Sequence, residues 1–278
     1  MLTSVSRREA MRRITTTLAL LTSRAARAEE WGEGLGPTPD NTDPEKASPQ
    51  SGSADDGAAP EAPVCKVTAQ SVEGPFYFDP KLERSDITEG EAGSPLDLKI
   101  SVIDHAQCLP LANARVDVWH ANALGHYSGY ASQGDSGSVS TKGKTFLRGT
   151  QKTSSDGTVE FASVYPGWYK GRAPHIHVKV VIGENLLVTA QMYLPELLSQ
   201  RIYGEHEPYN TRGGPETLNF QDHFFNTAGG SQGNIIAGIS AIGDTITASW
   251  TLAVDRSAAV QSEQNGGFLR YLLRLFGK

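Results

Sequence analysis

Apolar and polar residues alternate one for one along several stretches of the middle of this 278-residue chain, and few patterns narrow the choice of fold so far. Leu96, Leu98, Ile100 and Val102 fall on one parity, with Asp97, Lys99 and Ser101 on the other. Ala114, Val116 and Val118 repeat the pattern, as do Ile176, Val178, Val180 and Ile182, and then Ile246, Ala248, Trp250 and Leu252. Side chains two apart share a strand face, so each run buries one face and frees the other. Ser155-Asp156-Gly157 and Gly183-Glu184-Asn185 are expected to close hairpins. Short strands with such turns predict a mainly β fold, with an antiparallel β-sandwich core and long loops. The sequence has no P-loop, GxGxxG, GxSxG elbow or internal repeat. No apolar run reaches the ~18 residues of a spanning helix.

Charge divides the chain into blocks. Residues 1–28 carry six arginines against Glu9, and a modest apolar stretch from Ile14 to Leu21 leads to Ala26-Arg27-Ala28, a small-x-small cleavage pattern. Ser6-Arg7-Arg8 resembles a twin-arginine signal, so export to the periplasm or beyond is expected. Residues 29–63 hold nine acids against Lys46, and six of the 15 prolines. With few large apolar residues, that stretch cannot offset its ordering entropy, and it reads as a disordered acidic tether. A core of 64–254 follows, then a tail of 255–278. In that tail, Gly267 to Phe276 has a basic amphipathic pattern, expected as a short helix against the core or a neighbouring subunit, with weak membrane-surface contact as the alternative. The net charge of −6 and pI of about 5.7 argue against a nucleic-acid partner. Two cysteines exclude a Cys-rich zinc module. An oxidising compartment favours a Cys65–Cys108 disulfide, two free buried thiols being the alternative.

His175-Ile176-His177 opens one predicted strand, which places both imidazoles on one face and Ile176, Val178 and Val180 on the other. Paired imidazoles suit a metal. Upstream lie Pro166-Gly167-Trp168-Tyr169, Arg172, and the Trp119–Tyr127 segment, where a strand runs into a glycine-containing loop.

These pieces resemble the intradiol ring-cleavage dioxygenases of the protocatechuate 3,4-dioxygenase type. The matching motifs are Glu73-Gly74-Pro75-Phe76-Tyr77, Arg84-Ser85-Asp86-Ile87, Gly93-Ser94-Pro95-Leu96, Trp119 to Tyr127, Pro166 to Tyr169, Arg172 to His177 and Gln191-Met192-Tyr193, in order along about residues 65–195. The resemblance implies a β-sandwich and one non-haem ferric ion held by Tyr127, Tyr169, His175 and His177. It implies a catecholic substrate cleaved with O2 to a muconate-type diacid. Arg172 matches the residue that stabilises negative charge on the substrate, Tyr169 the tyrosinate that shifts as substrate binds, and Gln191 a glutamine beside the histidines. Trp119, Gly74 and Pro75 match the pocket wall. Only five residues separate Tyr169 from His175, fewer than in familiar soluble members, which bears on substrate choice and points to the exported, stand-alone branch. The helical N-terminal dimerisation segment of catechol 1,2-dioxygenases has no counterpart pattern in 29–63, and self-association stays open. The resemblance thins after Tyr193 and gives 195–243 no role. Two rivals remain: a zinc enzyme whose third ligand is His120 or His126, and a non-enzymatic exported binding module.

Overall fold

The computed structural model describes residues 65–230, 238–242 and 245–257. The expected export leader, the acidic tether and the amphipathic segment 267–276 lie outside the described residues.

The alternating runs form two sheets. One is five-stranded and contains β1 (Pro95–Asp104), β2 (Leu109–Pro110), β5 (Thr158–Val164), β8 (Gly238–Ile242) and β9 (Thr245–Val254). The other has the order β4 (Arg148–Lys152), β3 (Arg115–Trp119), β6 (His175–Ile182), β7 (Asn185–Tyr193). Leu96, Leu98, Ile100 and Val102 of β1 share one buried cluster with Val116 and Val118 of β3 and Ile176, Val178 and Val180 of β6, so the parity read from the sequence is the inward face of a sandwich.

Two details depart from the sequence reading. The sandwich is not wholly antiparallel, because β1 and β9 run parallel from Leu96↔Ile246 to Asp104↔Val254. A parallel pair needs a long crossover, and here the two strands are far apart in sequence. Gly183-Glu184 does close a hairpin, with Ile182 opposite Asn185. The Ser155-Asp156-Gly157 turn does not, since the strands flanking it, β4 and β5, belong to different sheets. Gly157 accepts from the Val102 N–H at 2.8 Å, and a Cβ there would meet the Val102 carbonyl. The turn therefore presses against β1 and hands the chain across the sandwich.

Residues 65–80 run as a strap over the structure. The Cys65–Cys108 disulfide is formed, Thr68 N–H donates to Ala253 O, and Ser71 N–H donates to Thr189 O. After β7 come α1 (Glu196–Glu205), 3-10 turns at Tyr209–Thr211 and Asn219–Gln221, and α2 (His223–Thr227). This excursion buttresses the loop before β6. Tyr203 Oη donates to Pro166 O and Tyr209 Oη to Tyr165 O, both at 2.6 Å. Arg212 Nη1 donates to the carbonyls of Leu124 and Trp168.

Candidate metal centre

The outer face of the second sheet is where the candidate residues meet. Strand register sets Arg148 opposite Trp119, Trp119 opposite His177, and His177 opposite Gln191. His175 and Tyr193 form the next row. The Trp119 ring stacks on the His177 imidazole with centroids 4.8 Å apart and planes 11° apart. The strap covers this face. Phe76 stacks on Tyr127 at 4.6 Å and meets Tyr169 edge-on at 6.2 Å. A Cβ at Gly74 would lie 3.5 Å from His177 Cε1. Pro75 is exposed on the turn beyond it.

Tyr127 and Tyr169 arrive on two interlocked loops. Gly167 N–H donates to Asn122 O, and a Cβ at Gly167 would lie 2.4 Å from the carbonyl oxygens of both Asn122 and Ala123. At Gly125, where φ is +78°, a Cβ would meet the Trp168 carbonyl at 2.0 Å. Glycine at both positions lets the two backbones close together.

Four heteroatoms converge. His175 Nε2 lies 3.1 Å from His177 Nε2, 3.3 Å from Tyr169 Oη and 3.4 Å from Tyr127 Oη. His175 Nδ1 is 2.6 Å from Ala173 O, which requires its proton there and leaves the Nε2 lone pair facing the cluster. His177 Nδ1 is buried without a partner. Tyr127, His175 and His177 are buried, whereas Tyr169 is partly exposed and marks the open side. Burial, with Arg172 and neighbouring histidines adding to it, pushes both imidazoles well below their usual range. Burial likewise raises both phenols, against the pull of Arg172. One imidazole lone pair cannot satisfy three such neighbours. The spacings are those of nitrogen and oxygen donors set ~2 Å from a common centre. The chemistry of the donor set fits a highly charged, hard cation, because only such an ion holds two phenols ionised near neutral pH.

Arg172 and Gln191 stand beside the cluster. Arg172 Nη1 donates to Tyr169 Oη at 3.2 Å, and Nη2 donates to Gln191 Oε1 and, at 3.0 Å, to Tyr193 Oη. Gln191 Nε2 donates to Val72 O at 2.9 Å. The third-histidine idea finds no support in the geometry. His120 is engaged by Ala121 O and Ser163 Oγ, and His126 is half-buried beside Gly134. Among the described residues no group of three or more His, Cys, Asp or Glu comes together.

Three contributors were given no role by the sequence reading. Tyr193 was legible by parity, being two residues from Gln191 on one strand. Arg148 carries no local signal; its guanidinium is buried over the Phe78 ring at 4.2 Å. Asp222 shows only a helix-cap pattern before His223-Phe224-Phe225.

Fold and donor set together define a class: β-sandwich proteins with a mixed phenol–imidazole centre outside one sheet. Residues 72–199 match the family model described as Dioxygenase. Catechol 1,2-dioxygenase 1 of Acinetobacter lwoffii is 31% identical over 107 residues, covering 37% of this chain and 32% of that protein. Chlorocatechol 1,2-dioxygenase of Rhodococcus opacus is 27% identical over 167 residues, covering 51% of this chain and 58% of that protein. The chain thus spans less than two thirds of either curated relative. The structure of an intradiol ring-cleavage dioxygenase from Tetranychus urticae aligns with a TM-score of 0.65 at 29% identity, over 71% of this chain and 98% of that one. Across residues 72–199 the chain matches the dioxygenase family model, and in sequence and fold it is similar to intradiol ring-cleavage dioxygenases.

Proposed function

We propose that this protein is a non-haem ferric dioxygenase that opens a catecholic ring between its two hydroxyl-bearing carbons. Both atoms of O2 enter the product, so catechol plus O2 gives a muconate-type diacid with no further reductant. The observation that carries this reading is the convergence of Tyr127 Oη, Tyr169 Oη and His177 Nε2 at 3.1 to 3.4 Å from His175 Nε2. Those four side chains would hold the iron. A ferric ion held there would supply Lewis-acid and electron-withdrawing chemistry toward a bound catechol, which would make its ring reactive toward O2.

The chain's own groups do the rest. Tyr169 Oη, on the open side, takes a phenolic proton from the entering substrate. Arg172 Nη1, already at 3.2 Å from that oxygen, is placed to stabilise negative charge that develops on the ring, an electrostatic role that counts most in a buried site. Gln191 ties Arg172 to the strap through Val72 O. Trp119 locks the His177 plane, and Phe76 with the strap excludes water above Tyr127. The same reading takes residues 1–28 as an export signal. N-terminal sequencing of protein recovered outside the cytoplasm should then begin near Glu29.

The test is iron and colour together. Purified protein should hold one iron per chain and show a broad visible band from tyrosinate-to-iron charge transfer. Tyr169→Phe should shift or weaken that band, and His177→Ala should lose the iron. A colourless protein that nevertheless holds iron at this cluster would refute the two-tyrosinate assignment. Oxygen uptake across a panel of catechols then identifies the substrate.

A further inference from the structure

Asp222 lies beyond the stretch 72–199 that the family comparison matches, and none of the sequence motifs includes it. Its side chain is fully buried and carries five hydrogen bonds. Oδ2 accepts from Arg172 Nε at 2.8 Å and from Ala173 N–H at 3.0 Å. Oδ1 accepts from Tyr193 Oη at 3.3 Å and, as the cap of α2, from the N–H groups of Phe224 and Phe225 at 2.9 and 3.3 Å. Phe224 also lies under the Arg172 guanidinium, 4.7 Å from its centre.

Arg172 is thereby gripped along two edges of its planar fork. Asp222 holds Nε, while Gln191 and Tyr193 hold Nη2. Nη1 is left facing Tyr169. A guanidinium held at Nε and Nη2 cannot turn about its own plane. A buried cation also needs a paired countercharge, and Asp222 supplies it.

We propose that Asp222 is a positioning residue: one carboxylate ties the start of α2 to Arg172 and so fixes which guanidinium nitrogen faces the ring-cleavage centre. The catalytic part of this inference rests on the dioxygenase reading above; the tie itself does not. It gives the 3-10 turn at Asn219–Gln221 and α2 a part in the chemistry, although that segment lies outside the matched stretch.

Asp222→Asn separates the cap from the grip. Asparagine is as good a cap as aspartate, so Oδ1 can keep α2, but its Nδ2 then faces two donors, Arg172 Nε and Ala173 N–H. Asp222→Ser, another strong cap but too short to reach Arg172, serves if the first variant does not fold. The first measurement uses iron-free, 15N-labelled protein. The Arg172 Nε–H resonance, assigned by its loss in Arg172→Lys, should be protected from exchange in the wild type. It should exchange rapidly in the Asp222 variant while the Phe224 and Phe225 amides stay protected. Unchanged Arg172 protection in the variant overturns the proposal.

The second measurement uses the iron-loaded enzyme. Asp222→Asn should lower kcat by about 10–100-fold with iron content unchanged, and should add nothing in an Arg172→Lys background. Equal losses in both backgrounds would mean that Asp222 does not act through Arg172, and would also overturn the proposal. If the wild type cleaves no catechol, the dioxygenase reading fails by itself, and the exchange measurement still decides whether Asp222 holds Arg172.

Discussion

A single hydrogen bond decides the orientation of His175. With its Nδ1 proton committed to Ala173 O, the ring can present only a lone pair to the two phenols and the second imidazole. His120 shows the opposite use of the same residue type. Its Nδ1 bonds Ala121 O, its Nε2 bonds Ser163 Oγ, and burial pushes its pKa down to about 4. The folded protein therefore keeps His120 neutral at pH values where the unfolded chain would protonate it. Its contribution to stability is complete above the unfolded pKa of ~6.5 and is lost progressively as the pH falls toward about 4, by up to roughly 3 kcal/mol. Urea denaturation at about pH 7 and about pH 4.5 should show that loss, and His120→Gln should flatten it. An equal pH dependence in wild type and variant would remove His120 as its source.

At the scale of elements, β6 divides its residues cleanly, with Ile176, Val178 and Val180 in the sandwich core and His175 and His177 on the outer face. That division was legible in the sequence, because parity alone fixes it. The cross-strand row Arg148–Trp119–His177–Gln191 was not, since register depends on pairing partners that no single strand announces. A hairpin signal likewise cannot say whether the chain stays in its sheet, which is why the Ser155-Asp156-Gly157 turn was misread. Asp222 escaped for a related reason: its bond to Arg172 spans 50 positions. The Pro166–Tyr169 and Asn122–Tyr127 loops give a sharp test of element packing. Gly167→Ala forces a methyl against the carbonyls of Asn122 and Ala123, and these loops carry the two tyrosines. The variant should lose roughly 1–3 kcal/mol in denaturant unfolding and bind iron more weakly. Unchanged stability and iron affinity would mean that the two loops do not constrain one another.

Across the whole molecule, the strap links the disulfide to the centre. It starts at Cys65, crosses both sheets through Thr68 and Ser71, and ends with Phe76 over Tyr127 and Tyr77 against Trp119. Closing a loop of 43 positions contributes up to ~4 kcal/mol by restricting the unfolded chain. Thermal unfolding with and without reductant should show a clear drop in Tm on reduction, and Cys65→Ser/Cys108→Ser should match the reduced protein. A Tm indifferent to reductant would make the disulfide incidental to stability. The segment 195–230, for which the sequence offered no role, supports residues 165–169 through Tyr203 and Tyr209 and the arginine through Asp222. The measurement that bears most directly on the central claim is mass analysis of the product formed from a catechol under 18O2. A ring-opened diacid carrying both labelled oxygens is the predicted result. A semialdehyde from cleavage outside the diol, or a diacid with one labelled oxygen introduced and the other taken from water, would contradict it.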